Sequence, residues 1–162
     1  MYYTLPPEHG QGALTNNGSG LLTWTPAGGG SGLGYTINVM ALTSSPVDAQ
    51  TVYFGMLPKA PTTTANISKV YIRKAGTIKI AEIYCYSGTA GTNQAWSVYI
   101  RKNNSTDTLI ATLSVATNQR VFSNEALNIP VAAGDYIEIK SVNPTWTTNP
   151  ATTIWGGYIY IE

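Results

Sequence analysis

Cysteine and histidine are nearly absent from this chain of 162 residues. Its one cysteine, Cys85, has no partner for an intrachain disulfide, and within Ile83-Tyr84-Cys85-Tyr86 it is predicted to be a small buried hydrophobic side chain. Its one histidine, His9, falls in a glycine-rich stretch, whereas a catalytic triad needs a base held rigidly beside its nucleophile. These two residues also fall short of the three or four ligands that a zinc site requires. No catalytic residue, metal or cofactor is therefore predicted.

Charge is also scarce. Only 10% of the residues are charged, against about 25% in an average protein, and the net charge is +1. The longest basic cluster is Arg101-Lys102, which is too short to follow a phosphate backbone, so nucleic-acid binding is not expected. No window reaches the roughly 18 to 20 apolar residues of a membrane helix. The first residues have neither a basic start nor an apolar stretch, so no signal peptide and no membrane insertion are predicted.

Eight acidic residues leave one possible pair for acid–base chemistry. Glu82 and Glu138 both fall in predicted strands, and a glycosidase needs two carboxylates facing each other at about 5 to 9.5 Å. The alternative is that each is an ordinary solvated or ion-paired side chain, with Lys79 and Lys140 as candidate partners. We favour this alternative and predict that the protein is not an enzyme.

No apolar pattern of helical period extends over ten residues, whereas short runs rich in Ile, Val, Thr and Tyr alternate with Gly, Pro, Asn and Asp. These runs predict strands at 36–42, 51–57, 69–74, 77–86, 96–102, 108–115, 120–129, 136–142 and 153–161. Eight or nine short strands without helices predict an all-β fold, a jelly-roll β-sandwich, over residues 36–162.

Residues 1–35 differ in composition, because they hold nine of the 16 glycines. Asn17-Gly18 predicts the turn of a small hairpin between Ala13-Leu14-Thr15 and Leu21-Leu22-Thr23-Trp24. Residues 1–35 as a whole are predicted to form an extended Gly-rich arm or stalk. It cannot bury its own apolar side chains, so contacts with sister chains are expected at Leu14, Leu21, Leu22 and Trp24.

Alternation along the predicted strands separates a core face from a second face. The core residues predicted in this way are Trp96, Val98, Ile100, Leu109, Ala111, Leu113, Val115, Trp155, Ile159 and Ile161. Tyrosines stand on or near the second face, at Tyr71, Tyr99, Tyr136, Tyr158 and Tyr160, and tyrosine suits an interface because its ring buries area while its hydroxyl keeps a hydrogen bond. We therefore predict a homotrimer whose axis these tyrosines line. A β-bulge near 81–83 would shift the parity of some of them.

The segment Asn143-Pro144-Thr145-Trp146-Thr147-Thr148-Asn149-Pro150 places a tryptophan among short polar residues. An exposed indole with such neighbours is a platform for the apolar face of a sugar, which makes Trp146, Asn143, Thr145 and Asn149 candidate glycan contacts. The other possibility is that Trp146 folds back and covers one end of the sandwich. The polar loops 87–95 and 103–107 are candidates for the same surface.

Two segments resemble known families. Leu5-Pro6-Pro7 followed by Gly10-Gln11-Gly12-Ala13-Leu14-Thr15-Asn16-Asn17-Gly18-Ser19-Gly20-Leu21-Leu22-Thr23-Trp24 resembles stretches of bacteriophage tail-fibre proteins. Ile129-Pro130-Val131-Ala132-Ala133-Gly134-Asp135-Tyr136-Ile137-Glu138-Ile139 is similar to the strand entry of trimeric jelly rolls of the tumour-necrosis-factor type. In such fibres, segments of the first kind form a trimeric stalk ahead of a C-terminal head.

The resemblance implies a non-enzymatic tail-fibre or receptor-binding head, located on the virion and therefore extracellular. Its partners would be two sister chains, a host-surface glycan or protein receptor, and other virion proteins. Two alternatives stay open: a structural virion protein such as a capsid decoration or spike base, and a carbohydrate-binding module. A stalk needs Leu14, Leu21, Leu22 and Trp24 to pack against sister chains, whereas the linker of a module needs only flexibility.

Overall fold

The computed structural model describes residues 13–16, 19, 22–25 and 33–162. Contacts within the chain divide it into two units, of which the larger spans Tyr35–Ile161. In the smaller unit, strands β1 (Ala13–Asn16) and β2 (Leu22–Thr25) pair antiparallel, with Leu14 opposite Trp24. The predicted hairpin is confirmed, although its Asn17-Gly18 turn lies outside the described residues. The predicted extended arm, with His9 and Leu21, also lies largely outside them.

The larger unit is a β-sandwich of ten strands in two antiparallel sheets. Sheet I has the order β10, β6, β12, β3, with β9 also paired to β6, and sheet II has the order β4, β11, β7, β8, with β5 also paired to β11. The bounds are β3 Tyr35–Ser44, β4 Thr51–Phe54, β5 Val70–Tyr71, β6 Gly76–Thr89, β7 Trp96–Lys102, β8 Thr106–Leu113, β9 Gln119–Asn124, β10 Ile129–Val131, β11 Tyr136–Val142 and β12 Ala151–Ile161. The described residues hold no helix, and hence none that could span a membrane.

Each of the nine stretches predicted as strands from residue 36 onward contains a strand, and the all-β sandwich is confirmed. β7 and β11 have the predicted bounds. The stretch predicted as one strand over 120–129 is two strands, β9 and β10, because Asn124 turns the chain by accepting a hydrogen bond from the Ala126 amide. A turn with Gly134 at a φ of 94° connects β10 to β11.

The core lies between the two sheets and is centred on aromatic rings. Trp96 of β7 contacts Trp155 of β12 edge to face, with ring centroids 5.2 Å apart, and Phe122 of β9 in the same manner at 5.9 Å. Its indole N–H donates to the Ser141 hydroxyl at 2.8 Å, so its polar atom is satisfied in the interior. Cys85 is also fully buried, as predicted.

Register shifts of the β-bulge kind occur at three places, on β3, β6 and β8, and those on β8 and β6 bear on the alternation that the sequence pattern suggested. On β8, Ala111 pairs with Val98 but Leu109 pairs with Tyr99, so Ile110 is the extra residue. Ile110 is buried and Leu109 is exposed, so the prediction that Leu109 belongs to the core is wrong; Val115, beyond the end of β8, is exposed too. On β6, Lys79 is the extra residue opposite β12, because Ile80 pairs with Tyr160 and Ile78 pairs with Ile161. This bulge lies close to residues 81–83, where the sequence analysis considered one. The predicted core positions on β7 and β12 are confirmed.

Candidate functional site

The Trp146 side chain belongs to the core, whereas its neighbours Thr145, Thr147 and Thr148 are exposed. The Trp146 side chain is 5% exposed and packs edge to face on Trp96, with ring centroids 5.2 Å apart. The prediction that it faces solvent is wrong, and the other possibility, that it folds back onto the sandwich, is what the structure shows. The indole is buried because the segment is fastened to the loop before β4: the Trp146 amide donates to Asp48 at 3.0 Å, and the Ala49 amide donates to the Pro144 carbonyl at 3.0 Å.

The other predicted sugar contacts have structural partners as well. Asn143 is buried, accepts a hydrogen bond from the Ser141 hydroxyl, and donates to the Val47 carbonyl at 3.0 Å. Asn149 donates to the Pro46 carbonyl at 3.1 Å. Thr145 is the exposed one of the four. These amides therefore hold two loops together, and in this arrangement they are not presented to a ligand.

Two polar loops, 87–95 and 103–107, were candidates for the same surface as this segment, and only the 87–95 loop contacts it. In the 87–95 loop, the Thr92 hydroxyl accepts hydrogen bonds from the amides of Thr147 and Thr148. The 103–107 loop is at the opposite end of β7, where Asn103 donates to the Asp135 carboxylate at 2.8 Å. Placing it on the same surface was wrong, because the strand between the two loops separates them by its full length.

Glu82 and Glu138 do not form a pair. Glu138 lies on the outward side of β11, since its neighbours Ile137 and Ile139 are in the core, and its carboxylate accepts hydrogen bonds from the amides of Asn66 and Ser68. Glu82 alternates with buried Ala81 and Ile83 on β6, so it lies on the outer side of the other sheet. With the sandwich between them, these carboxylates cannot face each other across one substrate.

Both lysines considered as partners of these two glutamates have contacts with other residues. Lys140 pairs with Asp107 at 2.6 Å, and Lys79 donates to Asn128 at 3.3 Å. Within residues 13–16, 19, 22–25 and 33–162, no three His, Cys, Asp or Glu side chains are grouped so as to hold a metal ion.

The five tyrosines predicted to line one axis are off the core, as predicted, but they belong to two different surfaces. Tyr71, Tyr99 and Tyr136 are on the outer side of sheet II, while Tyr158 and Tyr160 are on the outer side of sheet I. The sandwich separates the two groups, so they cannot all line one axis. The alternation in the sequence distinguishes inward from outward residues, but it does not tell which sheet a strand joins.

The outer side of sheet II is a charged network. Arg101 pairs with Asp107 at 2.9 Å, and Lys140 pairs with the same carboxylate. Arg101 also lies over the Tyr53 ring and Lys140 over the Tyr99 ring, at 5.6 and 5.5 Å from the centroids. Both cations therefore pair with the Asp107 carboxylate at the surface of this face.

The outer side of sheet I is apolar, and we call it the apolar face. Pairing sets Gly156 of β12 between Met40 of β3 and Tyr84 of β6, and the next row sets Ile154 beside Tyr86. Six large apolar side chains project from it, each 38% to 51% exposed: Met40, Leu42, Tyr84, Tyr86, Val121 and Ile154. A Cβ on Gly156 would have no atom within 4 Å, so the middle of the face is open. No outward residue of β3, β9 or β12 is charged, and β6 contributes Glu82 at one side.

A groove lies at the edge of the sandwich, where β3 ends sheet I and β5 lies at the edge of sheet II. It has a volume of about 400 Å³, and its apolar lining consists of the buried residues Ile37 and Val70 and the exposed Met56. The rim carries Tyr35, Lys69, Tyr71 and Arg73. We call it the edge groove. A second cavity, against Trp96 and Trp155, measures only about 60 Å³, which is far below the roughly 300 to 1,000 Å³ of small-molecule sites.

Two contacts join the walls of the edge groove. The Tyr35 hydroxyl donates to the Lys74 carbonyl at 2.6 Å, and the Met40 amide donates to the Gly55 carbonyl at 2.7 Å. Burial raises the pKa of the Tyr35 hydroxyl. The walls are therefore fixed to each other, and the groove is preformed.

Sequence reasoning did not find the edge groove or most of the apolar face. The alternation Ile83-Tyr84-Cys85-Tyr86 already contained the signal for Tyr84 and Tyr86, because a buried Cys85 requires its two neighbours to point outward. The edge groove had no such signal, since Tyr35 and Tyr71 are neighbours only after the two sheets have packed. No protein-family model matches the chain, and no curated protein shows significant sequence similarity to it.

Proposed function

We propose that the protein is a non-enzymatic attachment head of the bacteriophage tail-fibre type, which assembles as a homotrimer and binds a host-surface glycan. The observation that carries this proposal is the apolar face. A sheet face that is to stay in water usually alternates its buried residues with charged or small polar ones. Here Met40, Tyr84, Ile154 and their neighbours project instead, which is the composition of a surface that another protein covers.

The area of the apolar face matches what an interface needs. Six side chains of this size, each exposed by about two-fifths to a half, present on the order of 500 Å² of apolar surface. A standard interface buries about 800 Å² per partner, of which about 60% is apolar, again about 500 Å². Tyr158 and Tyr160 extend the face with half-buried rings.

A second copy of the chain is the occupant that best fits this face. The outward residues of this face are nearly all uncharged, so two copies of it can meet without electrostatic repulsion. Tyrosine hydroxyls can also form hydrogen bonds across such a contact. The resemblance of 129–139 to trimeric jelly rolls favours three copies. The course of the chain supports that fold, since it passes from β3 in sheet I to β4 and β5 in sheet II, returns at β6, and crosses again before β7, β9, β11 and β12.

Light scattering at micromolar concentration tests the assembly. The expected mass is three times the chain mass of 17.3 kDa. Ile154→Arg places a charge in the apolar face and should give monomers. Leu109→Arg is the matched control, because Leu109 has the same 44% exposure but lies on sheet II. Equal masses for both variants would refute the apolar face as the interface, and a wild-type monomer with a cooperative melt would refute the proposed trimer.

Attachment needs a separate measurement, because the apolar face would also suit a purely structural virion protein. Binding of the purified protein to a glycan array supports the attachment head. A trimer that binds neither a glycan nor intact host cells would instead favour the structural alternative, a capsid decoration or spike protein.

A further inference from the structure

The edge groove combines three features that seldom occur together by chance. Its size of about 400 Å³ is that of a small-molecule site. Its floor is apolar, because Ile37 and Val70 are core residues seen from the open edge of the sandwich. Its rim holds two tyrosine rings and two cations, and none of its lining residues is acidic.

The two cations of the rim have no carboxylate partner among the residues that the structure describes. The Lys69 ammonium lies 4.3 Å from the centroid of the Tyr136 ring, which attracts the cation without neutralising it. Arg73 is exposed and takes part in none of the described ion pairs. The Glu138 carboxylate, which lies under the same segment, is buried and held by the amides of Asn66 and Ser68. The groove therefore keeps its positive charge.

The tyrosines supply a surface for a ring. Tyr71 is 51% exposed and is tilted against Tyr136, with ring centroids 5.9 Å apart, so a neighbouring ring supports it from one side. Tyr35 is held from the other wall by its bond to Lys74. Two fixed aromatic rings beside an apolar floor suit the C–H face of a saccharide ring, and a guanidinium beside them suits a carboxylate or phosphate.

We propose that the edge groove binds an acidic saccharide, whose sugar ring lies on Tyr71 and whose carboxylate or phosphate is held by Arg73 and Lys69. This proposal rests on the attachment function proposed above and specifies its ligand. Carboxylate and phosphate groups share the chemistry that the two cations recognise, and separate probes distinguish them. An acidic peptide is the competing occupant, and it enters the test as a further probe.

Calorimetric titration of the full chain tests the proposal with four probes. They are a hyaluronan tetrasaccharide (glucuronate-bearing), mannose 6-phosphate, neutral chitotetraose and a tetraglutamate peptide. We expect at least one of the two acidic saccharides to bind, and both neutral chitotetraose and the peptide to bind at least tenfold more weakly. Raising the salt concentration should weaken the binding, because both cations are near the surface.

Variants connect the binding to the groove. The double variant Lys69→Gln/Arg73→Gln should weaken the acidic saccharide about tenfold or more, since it removes two charge-assisted contacts. Tyr71→Ala should weaken it as well. Lys59→Gln is the matched control, because Lys59 is an exposed lysine outside the groove and should leave binding unchanged. Far-ultraviolet circular dichroism and melting curves establish that each variant is folded.

The outcomes separate this inference from the proposed function. Equal binding of neutral and acidic saccharides, or binding that the double variant leaves unchanged, would overturn the acidic-saccharide site while attachment to glycans stands. Binding of the peptide alone would overturn the saccharide as the occupant. If none of the four probes binds although the trimer attaches to host cells, the groove assignment fails and the attachment function does not.

Discussion

Truncating Trp146 should destabilise the fold severely and should have no specific effect on binding. The indole is buried at the end of the core and meets Trp96 edge to face. Removing a buried aromatic side chain costs about 3 to 5 kcal/mol, because both its burial and its contacts are lost and a cavity is left. The backbone bond from the Trp146 amide to Asp48 does not need the side chain, so Trp146→Ala isolates the contribution of the indole.

Urea unfolding at a fixed protein concentration measures this loss, with the concentration fixed because assembly shifts apparent stability. For a domain of this size the loss corresponds to a melting temperature lower by roughly 10 to 15 °C. The control is Thr145→Ala, one residue away and exposed, which should change stability by no more than about 0.5 kcal/mol. If Trp146→Ala unfolds at the wild-type midpoint but loses glycan binding, the indole is a binding platform and the reasoning here is refuted.

Three further predictions follow from single sites. Gly157→Ala should cost about 3 kcal/mol, since its Cβ would meet the Glu82 carbonyl and lie 2.9 Å from the Ile83 Cα, whereas Gly156→Ala should stay within about 1 kcal/mol of wild type; equal unfolding midpoints would contradict this. Hydrogen bonds from Ala132, Asn103 and Lys102 lower the pKa of Asp135 to about 2, so its stabilisation is present above pH 4 and lost toward pH 2. Asp135→Asn should remove the loss of stability between pH 4 and pH 2 that Asp135 causes. An acid unfolding curve equal to that of the wild type would contradict this role of Asp135. Burial raises the pKa of Cys85 to about 12, so a thiol reagent at pH 8 should label it only in denaturant, and labelling of the native protein would disprove its burial.

The strands could be predicted from the sequence because their signals are local. β7 and β11 were located to the residue, since each alternates apolar and polar side chains and ends at turn-forming residues. Bulges are not local in this sense, because they depend on the pairing partner. On β8, Ala111 pairs with Val98 of β7, and Leu109 pairs with the next residue, Tyr99, so that Ile110 is skipped. This skipped residue points Leu109 outward, and nothing in the sequence around Ile110 indicates it.

The surfaces were harder to predict than the strands, for two physical reasons. An alternating pattern gives two faces but not the sheet, so tyrosines from opposite sides of the sandwich were assigned to one axis. Local composition also failed at 143–150, where prolines and amides suggested an exposed loop. Those amides instead fasten the segment to the loop before β4, as the bonds from Asn143 to Val47 and from Asn149 to Pro46 show, and a large side chain held that close to the core is buried.

The surface proposed for assembly and the groove proposed for ligand binding consist of different residues, and this separation gives a last prediction. Ile154 lies on the apolar face and Arg73 lies in the edge groove, so a variant at either position alters one proposed surface alone. We expect a half-open groove with two surface cations to bind a saccharide weakly, and three linked grooves to gain on the order of 10² to 10⁴ in avidity without any new contact. Ile154→Arg should therefore greatly reduce attachment to host cells, while the affinity of one monomer for a soluble acidic oligosaccharide stays at the wild-type value. Calorimetry together with a cell-binding assay measures both quantities. A parallel loss in the two assays would mean that the groove is formed only within the trimer, and the separation of the two surfaces would be wrong.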